Sequence, residues 1–182
     1  MRPGKSPSST REQLIVAAAA EFGEHGFGGT DTNRIARRAG FAPQTFYRWF
    51  KDKTEIFLAV YRAWEEAERE TMTDLLRRGA GETEQIEAAL ADHRDHRVFR
   101  RSLRALSLTD DAVRLARAQS RRRQIERIGG SPETAAVLLL QLERLADALA
   151  EGELADMGLD DAVARQCLED LLRQLRSNGK RG

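Results

Sequence analysis

The chain has 182 residues, with 30 Lys+Arg against 29 Asp+Glu and a formal net charge of +1. Hydrophobic residues make up 41% of it and charged residues 32%, enough apolar material for a core, which excludes wholesale disorder. The longest apolar run, Leu14 to Ala20, falls far short of the ~20 residues a membrane span needs. The start of the chain, MRPGKSPSST, carries charge and turn-formers where a secretory signal would carry an apolar stretch. The expectation is a cytoplasmic protein with no membrane partner. The single cysteine, Cys167, excludes an intrachain disulfide and a cysteine-based zinc site.

The charge is unevenly placed. Residues 1–53 hold nine bases (Arg2, Lys5, Arg11, Arg34, Arg37, Arg38, Arg48, Lys51, Lys53) and five acids (Glu12, Glu21, Glu24, Asp31, Asp52), a balance of +4. The other 21 bases and 24 acids give −3. A basic head on a mildly acidic body suggests two jobs.

Residues 1–8 are rich in Pro, Ser, Gly and Lys and read as a disordered arm. Ser9 to Glu12 fits a capping box, and Thr10 to Gln13 a second in the shifted frame. A helix follows to about His25, with Leu14, Ala18, Phe22, Ile15 and Ala19 on one face. Gly26 is placed to stop it. Thr30 or Asp31 can cap a second, short helix from Thr32 to Ala39, whose inward residues are Ile35, Ala36 and Ala39. Gly40 ends it. Pro43 suits the first turn of a third helix, Pro43 to Phe50.

Asp52-x-x-Glu55 opens a fourth helix that breaks near Gly79-Ala80-Gly81. Helices are then expected from Glu82 to Asp95, Val98 to Ser107 and Asp110 to Ile128. Ser131 caps the eighth, with Pro132 at its first position, and it runs to about Glu151. Asp160 caps the ninth, which reaches about Ser177. No alternating strand pattern and no internal repeat is present. The expected fold is all-α, with about nine helices. A three-helix domain spans 9–53 and continues into a connecting helix, 53–78. A larger helical domain spans 54–182.

The most informative stretch is Thr30 to Phe50, TDTNRIARRAGFAPQTFYRWF. It reads as helix, tight glycine turn, helix. Ile35 and Ala39 face inward from the first helix; Phe46 and Phe50 do so from the second. Ala36 and Ala39 are small enough for the helices to cross closely. This is a helix-turn-helix, whose second helix lies in the DNA major groove. Gln44, Thr45, Tyr47, Arg48 and Trp49 remain outward. Amide and guanidinium groups suit base edges, and hydroxyls suit phosphate oxygens.

Here the chain resembles the TetR family of bacterial transcriptional regulators. The family's N-terminal pattern is matched by Gly26, Phe27, Thr30, Ile35, Ala36, Ala39, Gly40, Thr45, Phe46, Tyr47, Phe50 and Lys53. The likeness covers residues 10–60, about a third of the chain. It implies that Asn33, Gln44 and Arg48 read bases, and that Thr45, Tyr47, Trp49 and Lys53 hold phosphates. Four departures stand out. Thr32 puts a hydroxyl where Val or Met is usual. Ala42 replaces a capping Ser, a loss of about 1 kcal/mol. Gln44 replaces a common Gly, and Trp49 replaces Tyr or His.

In the acidic body, Leu138, Leu142, Leu145 and Leu149 repeat along the eighth helix, and Val163, Leu168, Leu171 and Leu175 along the ninth. The resemblance implies a homodimer built as a four-helix bundle from these two helices. Two copies of the recognition helix would then meet a near-palindromic double-stranded operator. It also implies a pocket for an unknown small-molecule effector, for which Trp64, Met72, His96, Phe99, Leu103 and Leu106 are candidates. The arginine clusters at 97–104 and 114–127 read as solvated helix faces paired to local acids. Asp92-His93 and Asp95-His96 have spacing that a weak metal site would use, but no metal or cofactor is expected. Cys167 reads as a small core residue.

The leading reading is a dimeric repressor released from its operator by a ligand. The alternative keeps the DNA binding and makes the body a protein-interaction surface, as in an architectural adaptor. No catalytic motif appears: there is no GxGxxG in a strand-turn-helix setting, no phosphate-binding loop and no HExxH. The chain is read as a non-enzyme.

Overall fold

Ten helices and no strand are found among the residues described, 7–180, in a computed structural model of the chain. They are α1 (Pro7–His25), α2 (Thr32–Arg38), α3 (Pro43–Phe46), α4 (Lys53–Arg77), α5 (Glu82–Asp95), α6 (Arg97–Thr109), α7 (Asp111–Ile128), α8 (Pro132–Glu151), α9 (Glu153–Asp156) and α10 (Ala162–Gly179). The all-α expectation holds. The helix beyond the nine expected is α9, a single turn.

α1 starts earlier than the capping boxes suggest. Pro7 opens it, a residue whose missing N–H costs nothing in a first turn. Ser9 and Thr10 therefore lie inside α1. Of the arm expected at 1–8, residues 7 and 8 belong to α1; the rest, with Arg2 and Lys5, lies outside the described residues. The buried stripe of α1 is Leu14, Ala17, Ala18, Glu21 and Phe22, an i, i+3, i+4, i+7 pattern. Ala19, expected inward, is exposed one position off this stripe.

The chain forms two compact units. The first takes the described residues up to Arg69 together with Val98–Arg114; the second takes Glu70–Arg97 and the residues from Leu115 onward. The first unit is thus larger than the 9–53 domain expected from sequence. The reason is aromatic packing. Phe57 of α4 is fully buried. Its ring centroid lies 5.1 Å from Phe22, 5.3 Å from Phe27 and 4.6 Å from Phe99 of α6. Ile35, Ala36, Phe46 and Phe50 complete the same core. Gly26 ends α1 with φ 69°, a left-handed conformation that glycine adopts without steric cost.

In the second unit, Ile86 and Leu90 of α5, Ala146 of α8 and Leu168 of α10 are buried together, with Leu142, Leu145, Leu149 and Leu172 packed against them. Leu138 is buried as well. Of the leucine repeat, Leu138 is thus buried, while Leu142, Leu145 and Leu149 are half-buried against this core. The period of an amphipathic helix is the same whichever surface covers it. The apolar side chains exposed on α8 lie off that stripe, at Val137 and Leu140. On α10, Val163 is 75% exposed, and Leu171 and Leu175 are half-buried. Cys167 is exposed and not a core residue.

α5 and α8 are also joined by a buried polar pair, His93 Nδ1 to Asp147 Oδ1 at 2.9 Å. Ser131 caps α8 as expected, accepting the Thr134 N–H at 3.3 Å. No described helix is long and apolar enough to cross a membrane.

Phe57 is fully buried with three aromatic contacts, so its loss opens a hole in this core. Phe57→Ala should cost about 3–5 kcal/mol of stability, read as a lowered urea midpoint. A loss under about 1 kcal/mol would mean the site collapses freely.

Candidate nucleic-acid interface

The interface is built on the turn between α2 and α3. Asp31 caps α2 by accepting the Arg34 N–H at 2.8 Å. Gly40, at φ 78°, reverses the chain, and the Phe41 N–H returns to the Ala36 carbonyl at 2.9 Å. Such a left-handed residue just past a helix is glycine's usual place. Ala42 makes no side-chain cap bond, and Pro43 takes the first helical position.

The second helix of the motif is shorter than the Pro43–Phe50 expected. It is α-helical only over Pro43–Phe46. Beyond it the N–H groups of Arg48 and Trp49 reach back three residues, to Thr45 and Phe46, at 3.3 and 2.9 Å. This is the tighter 3₁₀ pattern. Two anchors hold the segment down: Phe46 and Phe50 are buried, with ring centroids 5.7 Å apart. Arg11 places its guanidinium 5.2 Å from the Phe50 centroid.

That anchoring decides what faces out. Gln44, Arg48 and Asn33, the three expected base readers, are all exposed. Tyr47 is 58% exposed. Its phenol oxygen lies 3.0 Å from Thr32 Oγ1, so the unusual hydroxyl of Thr32 has a partner. Thr45 is half-buried, and Trp49 packs against the core with part of its surface free.

Lys53 is turned inward. Its ammonium donates to the carbonyls of Phe27 at 2.7 Å and Thr30 at 3.0 Å and lies 4.2 Å from the Phe27 ring centroid. Burial pushes its pKa below the usual lysine range, with nearby Asp31 acting against the shift. The lysine clasps the loop between α1 and α2. At the start of α4, Asp52 accepts the Glu55 N–H at 2.8 Å, and Glu55 accepts the Lys51 N–H at 2.6 Å.

One functional residue was missed in the sequence. Glu21 is 5% exposed. It accepts hydrogen bonds from Thr30 Oγ1 at 2.7 Å, Arg34 Nε at 3.1 Å and Arg38 Nη1 at 3.1 Å. Arg38 also binds Glu24. The available signal was its place on the apolar stripe of α1, in register with Leu14, Ala17 and Ala18. Burial raises the pKa of the Glu21 carboxyl, but the hydrogen bonds from Thr30, Arg38 and Arg34 outweigh it and hold the value at about 2. Arg34 and Arg38 are thereby tied to α1, while Arg37 is exposed.

The candidate effector residues divide. Phe99 and Leu103 are buried in the first unit's core, with Trp64 and Leu106 packed against it. Arg100 lies 5.1 Å from the Trp64 centroid. Met72 and His96 belong to the second unit. His96 pairs with Asp92 at 3.0 Å.

The fold and this exposed turn form a helix-turn-helix. Residues 14–60 match the family model described as bacterial regulatory proteins, tetR family. The chain is similar to the HTH-type transcriptional repressor SCO4008 of Streptomyces coelicolor, 36% identical over 56 residues, 31% of this chain and 29% of that protein. The match thus spans under a third of the curated relative's length. The fold is shared over far more of the chain. The fatty acid degradation regulator FadR from Bacillus halodurans aligns over 93% of this chain and 96% of its own, with TM-score 0.64 and 14% identity. The multidrug binding protein EbrR, solved with imidazole, aligns over 88% and 93%, with TM-score 0.67 and 20% identity.

The Glu21 clasp generates a pH test. A carboxyl held below its usual 4.5, at about 2, gives stability that is full above the unfolded value and is lost as pH falls through the folded one. Urea melts of the wild type and Glu21→Gln should therefore differ most near neutrality. The gap should narrow as pH drops below 4.5 towards 2. A gap that does not depend on pH would mean the carboxylate charge is not what holds the clasp.

Proposed function

We propose that the protein is a sequence-specific, DNA-binding transcriptional regulator that acts as a dimeric repressor and leaves its operator when a small molecule binds. One observation carries the reading. Gln44, Tyr47, Arg48 and Asn33 stand exposed on a turn whose opposite side is pinned by buried Phe46 and Phe50. A solvated polar face has no need of such rigid mounting; groove recognition does, because bidentate base contacts demand fixed geometry.

Gln44 offers an amide suited to adenine, and Arg48 a guanidinium suited to guanine. Tyr47, Thr45 and Trp49 flank them as phosphate contacts. A regulator of this kind needs two such heads to match the symmetry of an operator. We assign the subunit contact to the apolar side chains exposed on α8 and α10, Val137, Leu140 and Val163, with half-buried Leu171 and Leu175 beside them. The effector works by binding more tightly to the arrangement that misplaces the two heads. The likeness to a named repressor and to a multidrug-binding protein supports this reading.

A gel shift on the DNA upstream of the protein's own gene tests it. A specific shift that weakens with salt is expected, and no shift on any adjacent region would overturn the reading. Arg48→Ala should cost about 1–3 kcal/mol of specific affinity. Lys53→Ala should lower the melting temperature and leave the slope of log affinity against log salt unchanged. A slope shallower by about 0.9 would put Lys53 on a phosphate after all. For the dimer, Val163→Asp should raise the monomer fraction in sedimentation at micromolar protein. An undisturbed dimer would move the contact elsewhere.

A further inference from the structure

We propose that Thr32 is a positioning residue for DNA binding, holding the Tyr47 phenol in the direction from which it meets a backbone phosphate. The proposal rests on the DNA-binding reading above. It starts from a residue that the family pattern does not call for, a hydroxyl where Val or Met is usual. A threonine at the first residue of α2 is β-branched, and its χ1 is confined. Its hydroxyl lies 3.0 Å from the Tyr47 oxygen, across 15 residues of sequence and the whole turn of the motif.

Tyr47 needs such a partner. It sits past the end of α3, where the N–H groups of Arg48, Trp49 and Phe50 bond back to Thr45 and Phe46 and fix the backbone but not the phenol. Its ring is 58% exposed, and the Phe46 ring braces one edge, T-shaped at 5.3 Å. Nothing in that ring contact fixes the hydroxyl at the far end. Thr32 supplies the missing restraint.

The chemistry sets the direction of the bond in the complex. A phosphodiester oxygen accepts hydrogen bonds and cannot donate. The phenol has one proton and must give it to the phosphate. Its oxygen is then free to accept, and Thr32 Oγ–H is the donor at hand. The chain runs Thr32 to Tyr47 to phosphate, and each bond polarises the next. In the free protein either hydroxyl can donate; the DNA selects one order. A valine at this position would keep the shape and lose the donor.

The experiment uses full-length protein and a duplex selected from a random library by the wild type. Binding is followed by fluorescence anisotropy at several salt concentrations. Thr32→Val should weaken binding about fivefold with an unchanged melting temperature. Thr32→Ser should restore it. Tyr47→Phe should weaken binding too, and adding Thr32→Val to that variant should change nothing further. If Thr32→Val binds like the wild type, or still weakens binding in the Tyr47→Phe background, the proposal is overturned; the second result would put Thr32 itself on the phosphate. If the wild type selects no duplex, the DNA-binding reading fails first, and the proposal fails with it.

Discussion

A carboxylate on the inner face of a helix is tolerable only when donors meet it. Glu21 lies on the buried stripe of α1 and is met by Thr30, Arg34 and Arg38. An unpaired charge there would cost several kcal/mol. With its partners it becomes a directional joint between α1 and α2. Apolar contact alone lets helices slide by a fraction of a turn at little cost; three hydrogen bonds to one carboxylate do not. Lys53 secures the same region from α4, through the carbonyls of Phe27 and Thr30. The loop between α1 and α2 is thus held by an acid from one side and a base from the other. The turn that carries the reading residues is built on that frame.

This changes how the charge of the head is to be understood. Its balance of +4 counts nine bases, and three of them have partners within the protein. Arg34 and Arg38 are bound to Glu21, and Lys53 to two carbonyls. The pairing leaves that balance unchanged, since it already counts Glu21, but it fixes where these positive groups sit. Discrimination depends on base-edge contacts and on how firmly their side chains are held.

The sequence made the fold legible where local chemistry is decisive. Capping by Asp31, Asp52 and Ser131, the glycine turns at Gly26 and Gly40, and the inward pair Phe46 and Phe50 were all readable, because each depends on a few neighbouring residues. Covering surfaces were not. Leu138, Leu142, Leu145 and Leu149 have the period of a buried stripe whether a partner or their own subunit buries them. The structure buries Leu138, half-buries the other three and leaves Val137 and Leu140 exposed. Lys53 matched the family pattern, yet its side chain points into the protein, and only three-dimensional placement of Phe27 and Thr30 reveals it. Glu21 was legible in principle, as an acid on an apolar stripe, but its partners lie 9 to 17 residues away.

The short α3 brings these points together. Without a side-chain cap at Ala42, the recognition segment keeps a single α-turn before tightening. The N–H groups of Arg48, Trp49 and Phe50 still bond back to Thr45 and Phe46. Side chains add to this: Phe46 and Phe50 are buried below the turn, and Thr32 meets the Tyr47 hydroxyl. A turn held in part by side-chain contacts is tunable by single substitutions that leave the fold alone. Ala42, Gln44, Trp49 and Thr32, the four departures from the family pattern, all fall on this segment or touch it. Residues that match the pattern, Ile35, Ala36, Phe46 and Phe50, build the buried frame, and the departures from it sit on or beside the exposed turn.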